Sequence, residues 1–394
     1  MTTGQGASPV LQDGVKRGGC SLEPKAPPTG GAETPAERPG LFTGHRTPAS
    51  SSSATKPRPI QAETRPPGGA GAGSGATTAG DSLREVPAPA KINLFLHVLG
   101  RRDDGYHQLQ TVFRFLDLYD ELDFERRSDG RVRRVTPLEG VDSDACLTVR
   151  AARALQQASG TSYGVDIHLR KRIPQGGGLG GGSSDAATVL LALNRLWRTG
   201  LDRAALLRLA LPLGADVPVF VFGQSAFAEG VGERLRPLPL PPAWYVLLQP
   251  AAEVSTAAVF GHPDLTRDTK LVKITDFPAG NILHLPAAPD SGGQVWRFGR
   301  NDLEPIVRKL YPQVEASWQV ADQALQQHPE IPARLRMSGS GACLFIECAS
   351  AQQAASIQAE IAATIRSSGV AAKAIRSVAC FAGLSSHPLQ QWAV

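Results

Sequence analysis

Seven residues, Gly176-Gly177-Gly178-Leu179-Gly180-Gly181-Gly182, constrain this chain more than any others. Six are glycine, which loses more backbone freedom on folding than any other residue, at roughly 0.5–1 kcal/mol relative to alanine inside a regular element. A chain accepts that cost where backbone must approach a partner closely or take a positive φ. The flanks complete the signal. Val165-Asp-Ile167-His-Leu169 alternates apolar and polar before the run, the period of a strand. After it come Ser183-Ser184-Asp185, then Ala186, Val189, Leu190, Leu193, Leu196 and Trp197 at three- and four-residue spacing, one face of a helix. Ser183 or Ser184 is expected to N-cap that helix, with Asp185 in its first turn, where a negative charge suits the helix dipole. Strand, glycine loop and helix N-terminus in that order make an anion site of backbone N–H groups. The bland alternative is a tight turn with no ligand.

Context decides between the two. Gly68–Gly75 has a similar composition, but no strand precedes it and no amphipathic helix follows, so it reads as a linker. The loop at 176–182 lacks the Lys-Ser/Thr ending of a Walker A motif. Gly176-x-Gly178-x-x-Gly181 matches the dinucleotide fingerprint, which requires an acidic residue ending the next strand about 20 residues on. Asp202, the candidate, opens a helix instead. ATP phosphates are the better reading.

Composition narrows the class. The 394 residues suffice for two or three domains. Residues 1–80 hold 15 Gly, 11 Pro and one aromatic, too little apolar surface to offset ordering, so a disordered tail is expected over 1–83. A mis-assigned start is the alternative. Since Met337 is the next methionine, a later start would use a non-Met codon near Asp81–Val86. The tail carries eight basic and five acidic residues and accounts for +3 of the net +5. The remainder is nearly neutral and lacks the electrostatic footprint of a nucleic-acid surface. Five cysteines, widely spaced and without a CxxC, suggest reduced thiols in a cytoplasmic enzyme. No stretch approaches 18 apolar residues, so no membrane span is expected.

From Val86 the chain reads as mixed strands and helices without strict βαβ alternation, an α+β fold in two layers. Lys91-Ile92-Asn93-Leu94-Phe95-Leu96-His97-Val98 alternates as a half-buried strand, and Thr111–Phe115 with Glu121–Phe124 as a strand pair. Helices are expected over 145–158, 202–211, 303–327 with a break at Pro312, and 351–366. Strands are expected at 244–248, on both sides of the small-residue turn Ser338-Gly-Ser340-Gly341, and at 374–382. The Pro-rich stretch 236–243 is a plausible hinge between an ATP-binding domain (84–240) and a second domain (241–394). Residues 262–300 are irregular.

Three groups near the loop carry candidate chemistry. Asp216, in Gly214-Ala-Asp216-Val-Pro218, is a lone carboxylate between apolar stretches; a turn or cap aspartate is the bland reading. Lys91 is a charge on an apolar strand, or an exposed strand lysine. Together beside a phosphate loop, the carboxylate can take the proton of an attacking hydroxyl, and the lysine can stabilise the carboxylate and the transferred phosphoryl. Tyr106 and His107 offer a stacking face and a two-sided hydrogen-bonding group, or only a surface turn.

Pro89-Ala90-Lys91-Ile92-Asn93-Leu94, Gly105-Tyr106-His107, Pro174-Gln175-Gly176 through Gly182-Ser183-Ser184, Gly214-Ala-Asp216-Val-Pro218 and Ser338-Gly-Ser-Gly-Ala342 occur in this order. The combination, over roughly residues 84–384, resembles the GHMP kinase superfamily. The Tyr-His turn and long glycine loop are similar to its branch acting on a cytidylylated methylerythritol in the non-mevalonate isoprenoid pathway. That resemblance implies an N-terminal α+β domain like ribosomal protein S5 domain 2 and a ferredoxin-like C-terminal domain, with the site between them. It implies that Pro174–Ser184 binds ATP phosphates, that Lys91 and Asp216 are the catalytic pair, and that Asn93 supports the site. Tyr106, His107 and Phe260 would hold the cytidine end. Mg²⁺ is implied as the carrier of ATP, although no dedicated carboxylate pair shows. The tail has no counterpart in the family pattern, and 280–300 looks longer than usual. The competing classes are a homoserine- or mevalonate-type kinase of the same superfamily, and an RNA- or partner-binding module that uses the basic tail.

Overall fold

The structure, a computed structural model, describes residues 81–138, 140, 142–272, 300–328 and 335–393. Residues 1–80 of the expected tail, with the 68–75 linker, and most of the irregular 262–300 stretch lie outside these; the last residues of that tail are corrected, since Ser82 and Leu83 already pair with Glu125 and Phe124 in the first strand and Leu83 is buried. The described residues alternate strands and helices irregularly: β1 (Ser82–Arg101), β2 (His107–Arg127), β3 (Val132–Arg134), α1 (Leu147–Ser159), β4 (Gly164–Arg170), α2 (Gly181–Leu196), α3 (Arg203–Ala210), α4 (Val217–Phe222), β5 (Ala226–Gly230), β6 (Arg234–Pro237) and β7 (Trp244–Pro250). There follow α5 (Thr256–Gly261), α6 (Glu304–Leu310), α7 (Pro312–Gln326), β8 (Leu335–Met337), β9 (Leu344–Cys348), α8 (Ala351–Ser367), α9 (Gly369–Ala374) and β10 (Ile375–Leu384). The α+β class holds.

The long β1–β2 hairpin is the frame. It pairs from Ser82↔Glu125 to Arg101↔His107. β2 also takes β4 along one stretch and β5 along another, both antiparallel. α1, α2, α3 and α4 close the first core over Leu122, Phe124, Ile167, Val189, Leu193 and Phe220. β7, β8, β9 and β10, with α6, α7 and α8, enclose the second, around Val246, Leu248, Leu344, Ile346 and Ile357. β10 joins the two: it pairs with β7 from Ile375 to Ala382, then its last residues, Gly383 and Leu384, pair with Leu116 and Phe115 of β2. The chain end follows it back, and Leu389 and Ala393 lie in the first core.

Two expectations are corrected. Lys91–Val98 is buried on both faces, not half-buried. Ile92, Leu94 and Phe95 meet Tyr245, Leu247 and Phe345 of the second half, while the alternating polar residues Lys91 and Asn93 face a site instead of solvent. The pair Thr111–Phe115 and Glu121–Phe124 is one continuous strand, β2. Its alternation fails where the register with β1 shifts between Pro89↔Tyr119 and Ala90↔Leu116, a bulge that absorbs the mismatch.

Candidate active site

Lys91 stands on β1 with its side chain 3 % exposed. Burying an ammonium is tolerable only if its three donors are matched. They are: Nζ donates to Asn93 Oδ1 at 2.6 Å and Gly178 O at 3.1 Å, and lies 3.0 Å from Asp216 Oδ2. Asn93 is held in turn, its Nδ2 donating to Thr111 Oγ1 at 2.9 Å. Asp216 occupies the position before α4, where a cap would sit, yet makes no side-chain cap bond. Its carboxylate is therefore available to Lys91, and at 35 % exposure it still faces the cavity. The lone aspartate and the strand lysine of the sequence are partners.

The glycine loop lies across this pair. Lys91 N donates to Leu179 O at 2.9 Å. Ala342 N and Cys343 N donate to Gly176 O and Gly177 O, each at 3.1 Å, and Ser338 Oγ donates to Gly178 O at 2.9 Å. The same hydroxyl accepts from Asn93 N at 3.2 Å. Loop carbonyls are thus held by the β8–β9 turn and by Lys91. The first N–H groups of α2 have no intrahelical partners. Two glycines are required by this closeness. Gly178 has φ 72°, and a Cβ there would collide with Ser338 O. Gly180 has φ 71°, and a Cβ would meet Lys91 and Phe220 at about 3.0–3.1 Å.

The expected cap is corrected. Gly180, in the left-handed region, precedes α2, and Ser183 and Ser184 are already inside it, so Asp185 lies beyond the first turn. Only glycine takes that backbone turn without strain, which starts the helix earlier than a serine cap would. Asp185 instead enters a buried triad. Lys171 Nζ donates to Asp185 Oδ2 at 2.8 Å and to Asp120 Oδ2, and Asp120 Oδ1 accepts from Arg172 N at 2.5 Å and Ile173 N at 2.8 Å. Burial pushes the Asp185 carboxyl up to about 7 against the pull of Lys171. Burial also works against the Lys171 ammonium, but the Asp185 and Asp120 charges outweigh it and raise its pKa.

A cavity of about 600 Å³ opens over these groups. Pro174 through Ser183, Lys91, Asn93 and Asp216 line it, and so does Phe260 of α5. Ser184 is buried beneath. Leu138, Leu147 and Leu169 give it apolar walls, and Lys171 and Asp185 also line it. Tyr106 is 64 % exposed and His107 is buried; neither lines the cavity. His107 instead packs on Phe260, ring centroids 4.9 Å apart. The expected site residues therefore line the cavity, except Ser184, Tyr106 and His107, the last joined to it through Phe260. Sequence reasoning missed Lys171 and Arg267, which hydrogen-bonds His107. Lys171, three residues before Pro174, was within reach of the motif; Arg267 sits in an irregular stretch with no local signal.

Residues 147–224 match the N-terminal domain of GHMP kinases and 294–366 the C-terminal domain. The chain is 56 % identical over 315 residues to the 4-diphosphocytidyl-2-C-methyl-D-erythritol kinase of Bordetella bronchiseptica, covering 79 % of this chain and 99 % of that one. It belongs to the 4-diphosphocytidyl-2-C-methyl-D-erythritol kinase family. The family member of Ralstonia pickettii is 48 % identical over 312 residues, covering 79 % and 98 %. A crystal structure of a 4-(cytidine 5'-diphospho)-2C-methyl-D-erythritol kinase superposes with TM-score 0.58 at 34 % identity, over 76 % of this chain and 98 % of that one. A homoserine kinase from Cytophaga hutchinsonii has TM-score 0.55 at 16 % identity over 79 % and 97 %, a likeness of fold alone. These matches place the chain among GHMP kinases of two-part α+β architecture. Among the described residues, no helix is long and apolar enough to cross a membrane.

Proposed function

We propose that the chain transfers the γ-phosphoryl group of ATP to the 2-hydroxyl of 4-diphosphocytidyl-2-C-methyl-D-erythritol. The observation that carries a phosphoryl transfer is the Lys91–Asp216 contact of 3.0 Å at the foot of the glycine loop. The names of the family relatives supply the acceptor alcohol.

In this reading the N–H groups of the loop and of the α2 N-terminus receive the ATP phosphates, and apolar walls such as Leu147 and Leu169 receive the adenosine. Asp216, turned to the cavity, accepts the proton of the attacking hydroxyl. Lys91 orients that carboxylate and offsets charge on the phosphoryl oxygens. Asn93 and Thr111 fix Lys91. Catalysis is then mainly positioning and electrostatics. His107 and Phe260, with Tyr106 at the rim, hold the cytidine end.

Magnesium fits as the ion that ATP brings and supplies charge neutralisation of the phosphates. Among the described residues no cluster of three His, Cys, Asp or Glu forms a cage. One lysine-paired carboxylate and the Ser183 hydroxyl at the loop suit an ion held chiefly by phosphate oxygens. We further propose residues 84–240 and 241–394 as the two domains, the end of the chain returning to the first, in an enzyme of the cytoplasm.

An ATP-consumption assay with the cytidylyl substrate, homoserine and mevalonate tests this reading. Turnover confined to the cytidylyl substrate supports it; equal or better use of homoserine or mevalonate assigns the chain to another GHMP specificity.

A further inference from the structure

Arg267 makes four contacts with one guanidinium. Nη2 donates to the carbonyls of Phe260 and His262, each at 2.9 Å, and Nη1 donates to Leu265 O at 3.1 Å. These oxygens lie at or just past the end of α5, where helix carbonyls lack partners and a positive charge is favourable. Nε–H points to His107 Nε2 at 3.2 Å. His107 opens β2 in the first half of the chain, and Phe260 belongs to α5 in the second. Arg267 therefore ties the two packed rings together across the halves.

The contact with His107 has a chemical consequence. Nε–H of a guanidinium can only donate, so Nε2 must offer its lone pair. A neutral imidazole carries one proton, and with Nε2 accepting, that proton sits on Nδ1. The alternative, an imidazolium, would turn an N–H against the Arg267 cation. Burial first, then the Arg267 and Arg101 charges, hold the His107 pKa below its ordinary value. Among the described residues Nδ1 has no hydrogen-bond partner, and the ring lies against Phe260, which faces the cavity.

We infer that Arg267 locks His107 as an Nδ1–H donor and thereby makes the site prefer a pyrimidine whose ring nitrogen N3 accepts a hydrogen bond, cytosine over uracil. Cytosine N3 carries a lone pair; uracil N3 carries a proton, which would oppose the donor. Arg267 is a positioning residue here, acting through His107. The inference rests on the reading of His107 and Phe260 as the cytidine end.

Two measurements test it, and the first needs no substrate. In the full-length protein with ¹⁵N-labelled histidine, the His107 signals, assigned by their loss in His107→Gln, should show the proton on Nδ1. A proton on Nε2, or averaging between tautomers, overturns the lock. In Arg267→Ala the averaging should appear. The second measurement compares the cytidylyl substrate with its uridylyl analogue. Arg267→Ala should raise KM for the cytidylyl substrate about tenfold or more without raising KM for ATP, the scale of one lost buried hydrogen bond. It should narrow the cytidylyl-to-uridylyl ratio of kcat/KM by a similar factor, and Arg267→Lys should recover part of both. An equal loss on both substrates reduces Arg267 to a packing residue and overturns the selectivity claim. His107→Ala with an unchanged cytidylyl KM would remove the cytidine end itself, a failure separable from a correct tautomer.

Discussion

Lys91 and Asp216 are 125 positions apart in the chain, yet Lys91 Nζ lies 3.0 Å from Asp216 Oδ2, the lysine side chain 3 % exposed and the carboxylate 35 %. The asymmetry suits the chemistry proposed for them. The cation is held in the fold by Asn93 and the loop, while the carboxylate keeps one edge toward the cavity.

Asp216→Asn keeps the shape and removes the base. Turnover should fall by about 10²-fold or more, the usual scale of a lost general base, with KM for ATP little changed. Steady-state kinetics against ATP and the acceptor checks this; near-normal turnover would refute the role.

Gly178→Ala places a Cβ against Ser338 O at a residue with φ 72°. The loop must shift away from the β8–β9 turn. The variant should lose more than about 1 kcal/mol of stability and bind ATP more weakly, read by denaturation and by KM for ATP.

Lys171→Met leaves the Asp120 and Asp185 carboxylates buried without their shared cation. Removing one partner of a buried ionic group costs about 3–5 kcal/mol. Urea denaturation should show that loss, and a further Asp185→Asn exchange should recover part of it, since Asn needs no counter-charge.

Burial, with Arg203 nearby, holds the His387 pKa down to about 3, and burial holds His97 at about 4 against the attraction of Asp302. Both are neutral when folded, while in the unfolded chain histidine takes a proton near pH 6.5. The unfolded state therefore binds more protons as pH falls below 6.5. Stability is retained above that pH and lost toward pH 4, by up to about 1.4 kcal/mol per pH unit for each histidine. His387→Asn keeps an acceptor for Leu389 N, which His387 Nδ1 now serves at 3.0 Å. That variant should show a shallower loss between pH 6.5 and 4 in denaturation curves; an unchanged slope would contradict the assignment.

Arg203 donates to Val221 O and Phe222 O at 2.8 and 2.9 Å and to Gln390 O and Ala393 O at 2.5 and 2.6 Å. It clamps the end of α4, whose start carries Asp216, to the end of the chain. Arg203→Ala should cost about 3 kcal/mol or more, since charge-assisted bonds are worth about 1.5–3 kcal/mol each. Thermal or chemical unfolding measures it.

Much of this was legible in the residues because the signals were local. The glycine loop is flanked by the strand and helix that its neighbours predict, and the helix break at Pro312 falls between α6 and α7. Lys91 and Asp216 are candidates by type, but no local pattern states a contact over such a separation; the packing of α2 against both β1 and α4 makes it. The polar positions of β1 looked like a solvent face because alternation cannot distinguish water from a buried site. The β1–β2 bulge, the Gly180 start of α2 and the Arg267 bridge all depend on partners distant in sequence, where periodicity carries no information.

The most direct test is ³¹P NMR of the full-length protein with ATP and 4-diphosphocytidyl-2-C-methyl-D-erythritol, beside Asp216→Asn. A new phosphomonoester resonance should appear one-for-one with ADP in the wild type and be nearly abolished in the variant. ATP left unconsumed by the wild type, or equal product from Asp216→Asn, would contradict it.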